Sequence, residues 1–387
     1  MIVVDWRVLR GDIEVKDKVL ITGGAGFIGS HIADLLLAQG YEVRALDSLE
    51  PQVHPGGERP KYLHPEVELI RGDVRDRAAL DRALKGVSMV CHQAAAVGVA
   101  QSMYEIERYV HGNDCVTAAL LQAIVERVAK IKKLVVASSM SIYGEGRYRC
   151  PKCGLIAPPV RSEEQLKRRQ WEVACSCGGI AEPVVTGEDK PRVCESVYAV
   201  GKKTTEELAL VVGRAYKIPT VALRYFNTYG PRQALSNPYT GLLAIVASRV
   251  INRKPAVIFE DGKQLRDFIY VGDVARANLA ALQWEGEGTV ALNVGTGRPR
   301  SALEAAEAVR KGLRGDIPPE VKGRFRAGDI RHCFADVGKA KEVIGFTART
   351  GFEEGLPLFL DWAAEEEGVR DLVDKGIGEL DAKGLIK

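Results

Sequence analysis

Apolar positions along this chain follow two alternating periods. Val19, Leu20 and Ile21 form a short unbroken apolar run, the pattern of a strand buried on both faces of a parallel sheet. From Ile28 the period lengthens. Ile28, Ile32, Leu35 and Leu36 fall on one helical face, Gly40 stops the helix, and Tyr41 to Asp47 forms a second strand ending in a carboxylate. Ser48 to Pro65, rich in Pro, Gly and His, reads as a loop, Val67 to Gly72 as a third strand, Arg77 to Leu84 as a helix and Val87 to His92 as a fourth strand. Asn113 to Val128 has helical spacing, and Lys133 to Ser139 is a fifth strand. Strands alternating with helices predict an α/β fold on a doubly wound parallel sheet, with a ligand beyond the carboxyl ends of the strands.

The first strand–loop–helix unit carries recognisable chemistry. In Thr22-Gly23-Gly24-Ala25-Gly26-Phe27-Ile28-Gly29, Gly23 permits a tight turn, Gly26 lets a pyrophosphate approach the backbone, and Gly29 lets the helix pack against the strand. Asp47 then stands about 20 residues on, where an adenosine ribose would present its hydroxyls. Glycine-rich turns are common. Here strand, loop, helix, second strand and terminal acid follow in order, which points to a dinucleotide-binding unit of Rossmann type. Ser48 and Leu49 offer no cation for a 2′-phosphate, favouring NAD over NADP. Ala94 and Ala95 are small enough to let a cofactor lie close to the fourth strand, and Phe27, Ile28, Asp73, Val74 and Asn113 complete the expected cofactor wall.

Ser139 leaves the fifth strand at that same edge, within Ser138-Ser139-Met140-Ser141-Ile142-Tyr143-Gly144. Such hydroxyls also serve as helix caps or turn residues. Tyr198-Ala199-Val200-Gly201-Lys202 adds a second signal. A spacing of four places Tyr198 and Lys202 on one helical face, where the ammonium can stabilise a phenolate and lower its pKa.

The second half is less regular. Thr220 to Arg224, Val257 to Phe259, Phe268 to Val271 and Val290 to Val294 read as strands, Leu242 to Ile251 as a helix, and Asp273 as the cap of the helix between the last two strands. Ser301-Ala302-Leu303-Glu304 is a capping box opening a helix that Gly315 ends. We expect a dinucleotide domain over 1–230, interrupted by a Cys-rich insert at 145–194 and joined by about 268–295. A smaller C-terminal α/β substrate lobe would take 231–267 and 296–365, leaving 366–387 as a peripheral tail. Residues 1–17 show no clear period and read as an extra strand or a loose arm.

Composition narrows the class. A hydrophobic fraction of 46% with 27% charged residues is that of a globular protein with a substantial core. A net charge of +3 is too small to argue for nucleic acid. The opening Met1-Ile2-Val3-Val4-Asp5-Trp6-Arg7 lacks a basic start and long apolar core, and no later run has membrane-spanning length, so the expected location is the cytoplasm.

The chain resembles the extended short-chain dehydrogenase/reductase family, especially nucleotide-sugar 4-epimerases of the UDP-galactose 4-epimerase type. The resemblance spans roughly residues 18–365 and rests on the glycine loop with Ser30-His31, on Ser138 to Gly144, and on Tyr198-x-x-x-Lys202. It continues through Arg224-Tyr225-Phe226-Asn227-Thr228-Tyr229-Gly230-Pro231-Arg232, Arg266-Asp267-Phe268 and Arg326-Ala327-Gly328-Asp329. It implies that Ser139, Tyr198 and Lys202 are catalytic, with Tyr198 the acid/base and Lys202 also holding the nicotinamide ribose. It places Ser141, Asn227, Arg266, Arg326 and Asp329 on a nucleotide-sugar substrate, as arginine forks suit a diphosphate. It implies a homodimer pairing the helices that follow Asn113 and Tyr198. It further puts Cys333 at the sugar pocket, where a small thiol would admit an N-acetyl group; its other reading is a buried apolar residue. Two positions depart from the family. Gly201 replaces a frequent Ser or Thr, and Met140-Ser141 replaces the Asp-Glu pair of sugar 4,6-dehydratases, so water elimination is not expected.

Five of the 8 cysteines crowd between Ser139 and Tyr198, which in a reducing compartment suggests metal before disulfide. Cys150-Pro-Lys-Cys153-Gly and Cys175-Ser-Cys177-Gly-Gly have the form of a zinc ribbon with one irregular half, and Cys194 is a possible substitute ligand. Disulfides or free thiols are the alternative.

The expected protein is thus an NAD-dependent nucleotide-sugar 4-epimerase working through a transient 4-keto sugar, on a UDP-hexose or UDP-N-acetylhexosamine. A dTDP-6-deoxyhexose such as dTDP-rhamnose is an alternative substrate, and reduction, dehydrogenation or decarboxylation an alternative outcome of the same triad. A non-catalytic NAD sensor is the competing class, against which the three catalytic residues argue.

Overall fold

The unbroken apolar runs become the strands of one sheet. Seven parallel strands lie in the order Thr289–Val294, Thr220–Tyr225, Lys133–Ser139, Met89–His92, Lys18–Thr22, Glu42–Asp47 and Glu68–Arg71. Strand order reverses between Lys18–Thr22 and Met89–His92, which opens a crevice at their carboxyl ends. Alternate residues of each strand face opposite sides. Val19 and Ile21 pack with Ile32, Leu36 and Ala277 on one face, while Leu20 packs with Leu80, Leu120 and Ile124 on the other. This computed structural model describes residues 17–126 and 131–387. Of the arm expected at 1–17 only Asp17 lies inside that range, and the Val128 end of the helix expected from Asn113 falls outside it.

Three elements differ from the sequence reading. Strand Leu265–Tyr270 belongs to a second, smaller sheet, where it pairs with Asn227–Tyr229, Pro299–Ser301 and His332–Cys333. Asp273 does not cap its helix. Val271–Gln283 starts directly after that strand with Tyr270 at the N-cap, and the Asp273 carboxylate accepts instead from the backbone N–H groups of Arg349 and Thr350. Residues 366–387 are not peripheral. They form helix Val373–Ala382, bury Val373, Leu380 and Ile386, and tie Asp371 to Arg249 at 3.0 Å. Polar spacing hid this segment because a few apolar residues, Val373, Leu380 and Ile386, carry its packing while most of its charges stay exposed.

Around the second sheet, helices Leu242–Ile251, Ala302–Gly312 and Phe352–Glu365 share one core with Phe268. The capping box at Ser301 and Glu304 is formed in both directions. Within the insert, Arg147–Cys150 is the middle strand of a three-stranded antiparallel sheet, flanked by Gly154–Ile156 and Glu182–Val184. Its own core is only Tyr148, Val173 and Ala181, with Ile156 packed against it, too little to hold so small a unit without a staple.

Beneath the carboxyl edge of the main sheet, Glu206 is fully buried and takes Arg224 through Nη2 at 2.6 Å and Nε at 2.9 Å, with Ser138 donating at 2.7 Å. Removing one partner of a buried pair strands the other's charge. Glu206→Gln is therefore expected to lower stability by about 3–5 kcal/mol. Denaturant unfolding checks this, and a loss under about 1 kcal/mol would contradict it.

Candidate functional site

The glycine loop leaves strand Lys18–Thr22 into a turn where Gly23 adopts a positive φ of 69°. A Cβ there would lie 2.8 Å from Ala94 N, and one on Gly29 would lie 2.2 Å from Gly23 O, so backbone packs on backbone. Gly26, by contrast, has a single neighbour at 3.3 Å and borders open space. It is also the N-cap of helix Phe27–Ala38 and supplies no side-chain cap, which leaves N-terminal N–H groups for an anion. Asp47, at the end of the second strand, accepts from Ala25 N at 3.0 Å and Leu49 N at 2.9 Å.

A cavity of about 860 Å³ runs from this loop along the strand ends. Gly23, Gly26, Phe27, Ile28, Gly29, Asp47, Asp73, Val74, Ala94, Ala95, Tyr198 and Lys202 all line it. Asn113 does not. It sits in a π-helical turn, His111–Cys115, and its amide clamps Ala96, accepting from Ala96 N at 2.8 Å and donating to Ala96 O at 3.2 Å. Asn113 therefore positions the wall rather than forming it. Arg75 and Arg108 also border the cavity, and each is tied to acids, Arg75 to Asp73 and Arg108 to Glu50 and Glu105.

Ser139, Tyr198 and Lys202 come together at the far end. Ser139 accepts from both the N–H and the hydroxyl of Ser141, at 3.2 and 3.0 Å, so it caps the following turn and still faces Tyr198. Ser196 caps helix Val197–Tyr216 and sets the rotation that points Tyr198 and Lys202 inward. Lys202 Nζ donates to Ala137 O at 3.0 Å. The expected lowering of the phenol is not what this arrangement gives. Burial pushes Tyr198 up to about 12, with Ser139 pulling the other way, while burial brings Lys202 down to about 8. The reason is that desolvation acts on both groups and the ammonium is aimed at a carbonyl rather than at the phenol.

A second cavity of about 380 Å³ adjoins the first, and Ser139, Tyr198, Phe226 and Asn227 line both. Ser141, Arg266, Arg326 and Asp329 line the second. Arg326 forks onto Asp329 at 2.8 and 3.2 Å, and Arg266 donates to the carbonyls of Ile330 and Arg331. Asn227 Oδ1 is buried with no hydrogen-bond partner among the described residues, so a ligand donor would satisfy it. Cys333 is displaced from its expected place. It is paired opposite Arg266 in the second sheet and is buried with Met140, Tyr143, Phe226 and Ala335, off the wall, because the short strand turns its thiol into that core. Sequence reasoning missed Gly376, Ile377 and Leu380, which close the cavity from the tail helix. The helical spacing of Val373, Ile377 and Leu380 was the available signal.

In the insert, the sulfurs of Cys150, Cys153, Cys175 and Cys177 all lie within 4.8 Å of one another, a spacing that fits four thiolates around one tetrahedral ion. Cys194 is not among them; its thiol lies against Ile142 O at 3.9 Å.

Residues 19–162 and 174–295 match the NAD dependent epimerase/dehydratase family, and the chain belongs to that family. The chain is 34% identical over 351 residues to the dTDP-L-rhamnose 4-epimerase of Burkholderia thailandensis, covering 90% of this chain and 95% of that one. Among solved structures, the UDP-glucose 4-epimerase of Thermotoga maritima with UDP-glucose is 29% identical, with a TM-score of 0.73 and coverage of 89% and 98%. The UDP-glucose 4-epimerase of Thermus thermophilus in complex with NAD is 32% identical, with a TM-score of 0.70 and coverage of 90% and 99%.

Proposed function

We propose that this chain is an NAD-dependent nucleotide-sugar 4-epimerase. The observation that carries the reading is that the two cavities meet at Ser139 and Tyr198, so a dinucleotide and a sugar would face each other across one phenol. The residues fit NAD. Gly26 leaves room for a pyrophosphate above an uncapped helix terminus, Asp47 suits ribose hydroxyls, and the nearby arginines are already paired with carboxylates rather than free for a 2′-phosphate. When bound, NAD would accept hydride from the sugar's C4 and return it to the opposite face.

The chain's own residues handle the proton. Tyr198 takes it from the 4-hydroxyl and gives it back, Ser139 holds the sugar oxygen in line, and Lys202 supplies positive charge beside the phenol. With Lys202 donating to Ala137 O the phenol stands at about 12, so it would act as a base near neutral pH once that ammonium turns toward it. Met140 and Ser141 stand at the sugar cavity and provide no acid/base pair for dehydration. The likeness to the dTDP-L-rhamnose enzyme favours a dTDP-6-deoxyhexose, and that to the UDP-glucose enzymes a UDP-hexose; Arg266 and Arg326 would serve either diphosphate, Arg326 by exchanging part of its fork on Asp329, and the Asp329 carboxylate suits a nucleoside ribose.

The reading extends to two further features. The four clustered thiols would hold a structural zinc ion, remote from the proton chemistry. Ile106, Val110, Val200 and Val211 expose apolar side chains on the helices near Asn113 and after Tyr198, which supports a homodimer through that face.

Purified protein incubated with UDP-glucose, UDP-N-acetylglucosamine and dTDP-L-rhamnose, read by NMR, is expected to give the 4-epimer of at least one without accumulating NADH. Net NADH would instead indicate a dehydrogenase. Tyr198→Phe should reduce turnover by at least about 100-fold with NAD affinity unchanged; residual activity near wild type would remove Tyr198 from the chemistry. Elemental analysis should find about one zinc per chain, falling to near zero in Cys150→Ser/Cys175→Ser. Sedimentation at micromolar concentration should give a dimer, and a monomer would refute the interface.

A further inference from the structure

Between the insert and the substrate lobe lies a buried cluster of charges that the proton chemistry does not use. Arg161 and Glu145 belong to the insert, Glu260 and Arg331 to the lobe, and all four side chains are at most 1% exposed. Arg161 forks onto Glu260 with both Nη atoms at 2.9 Å, and Arg331 adds Nη1 to the same carboxylate at 2.9 Å. Arg331 also takes Asp261 at 2.6 and 3.0 Å and Glu172 of the insert at 2.6 Å.

Three of the contacts that cross between the two parts end on one stretch of backbone, Asp329 to His332. Arg161 Nη2 donates to Asp329 O at 3.1 Å, and Glu145 accepts the N–H groups of Arg331 at 2.5 Å and His332 at 3.3 Å. That stretch continues Arg326 and Asp329, the charged pair on the sugar-cavity wall, whereas none of these contacts reaches the dinucleotide loop. Buried ions are tolerated only when paired, so the insert and this loop fit together in one register. In sequence the cysteines bracket Arg161 and Glu172 and follow closely on Glu145. Cys150 ends the strand that begins two residues after Glu145, and Cys175 lies three residues beyond Glu172.

We infer that the cysteine-rich insert is a positioning module for the substrate's diphosphate: Arg161 and Glu145 hold the Arg326–Asp329 loop in its binding geometry, and an ion in the four-thiol site holds the insert. This rests on reading the second cavity as the nucleotide-sugar site. Arg161 is a positioning residue, since it touches neither cavity. Lysine cannot replace it, because a single ammonium cannot fork onto Glu260 and reach Asp329 O together.

The test compares wild type, Arg161→Lys, and wild type treated with a zinc chelator. Both perturbed forms should raise KM for the nucleotide sugar, and the Kd for UDP or dTDP, by about 10-fold, with kcat and NAD affinity within about twofold. Hydrogen exchange should quicken at residues 326–332 and stay unchanged at 19–29, and added zinc should restore the chelated sample. Unchanged KM and unchanged exchange at 326–332 would overturn the inference. So would equal losses of NAD affinity and kcat, the mark of a merely structural role. If Arg161→Lys fails to fold, the chelated wild type decides alone. Wild type that binds no nucleoside diphosphate, yet shows the localised exchange change, would sink the substrate reading while leaving the loop's dependence on the insert standing.

Discussion

At Gly23 and Gly29 the backbone passes its neighbours so closely that no Cβ fits, and the placing of the whole crevice follows from that contact. It brings the N-terminus of helix Phe27–Ala38 up to the strand ends and leaves Gly26 facing open space. Because the strand order reverses at this point, the strand ending in Ser139 and the helix carrying Tyr198 and Lys202 border the same space from the other side. A larger side chain at Gly29 would push the helix off the loop and spoil both halves at once.

Burial then shapes the chemistry. The phenol of Tyr198 is raised and the ammonium of Lys202 is lowered by the same loss of water, so the two draw apart from their ordinary values in opposite directions. With its pKa near 8, Lys202 is still mostly charged at neutral pH and becomes neutral as pH rises through that value. The Lys202 charge is thus present near neutral pH and fades on the alkaline side. Depth matters at the other end too, where Arg161, Arg331 and Glu260 are dry and hold each other in one arrangement.

The parts legible in the sequence were those written in local patterns. The glycine loop, the apolar strand runs and the i,i+4 pair of Tyr198 and Lys202 each lie within a few residues, and the structure brings them to one cavity. The cysteine pairs were equally local, and their sulfurs converge. What escaped depends on distance along the chain. Arg161 meets Glu260 across 99 residues, and each alone looks like an ordinary surface charge. Cys333 could be counted to a motif position, but its direction depends on pairing with the strand that holds Arg266, which no spacing reveals. Asn113 was assigned to the cofactor wall on a regular helix, and a π-turn moved it one layer back.

The central claim is that Tyr198 moves a proton while the C4 hydrogen leaves the sugar and returns to the same molecule. A nucleotide sugar carrying deuterium at C4, incubated with the protein in ordinary water and followed by NMR, tests this most directly. The account predicts that the epimerised product keeps its deuterium at C4, on the opposite face of the ring. Epimer carrying a solvent proton at C4 would contradict it, because the hydrogen would then have exchanged with water rather than being held and returned within the site.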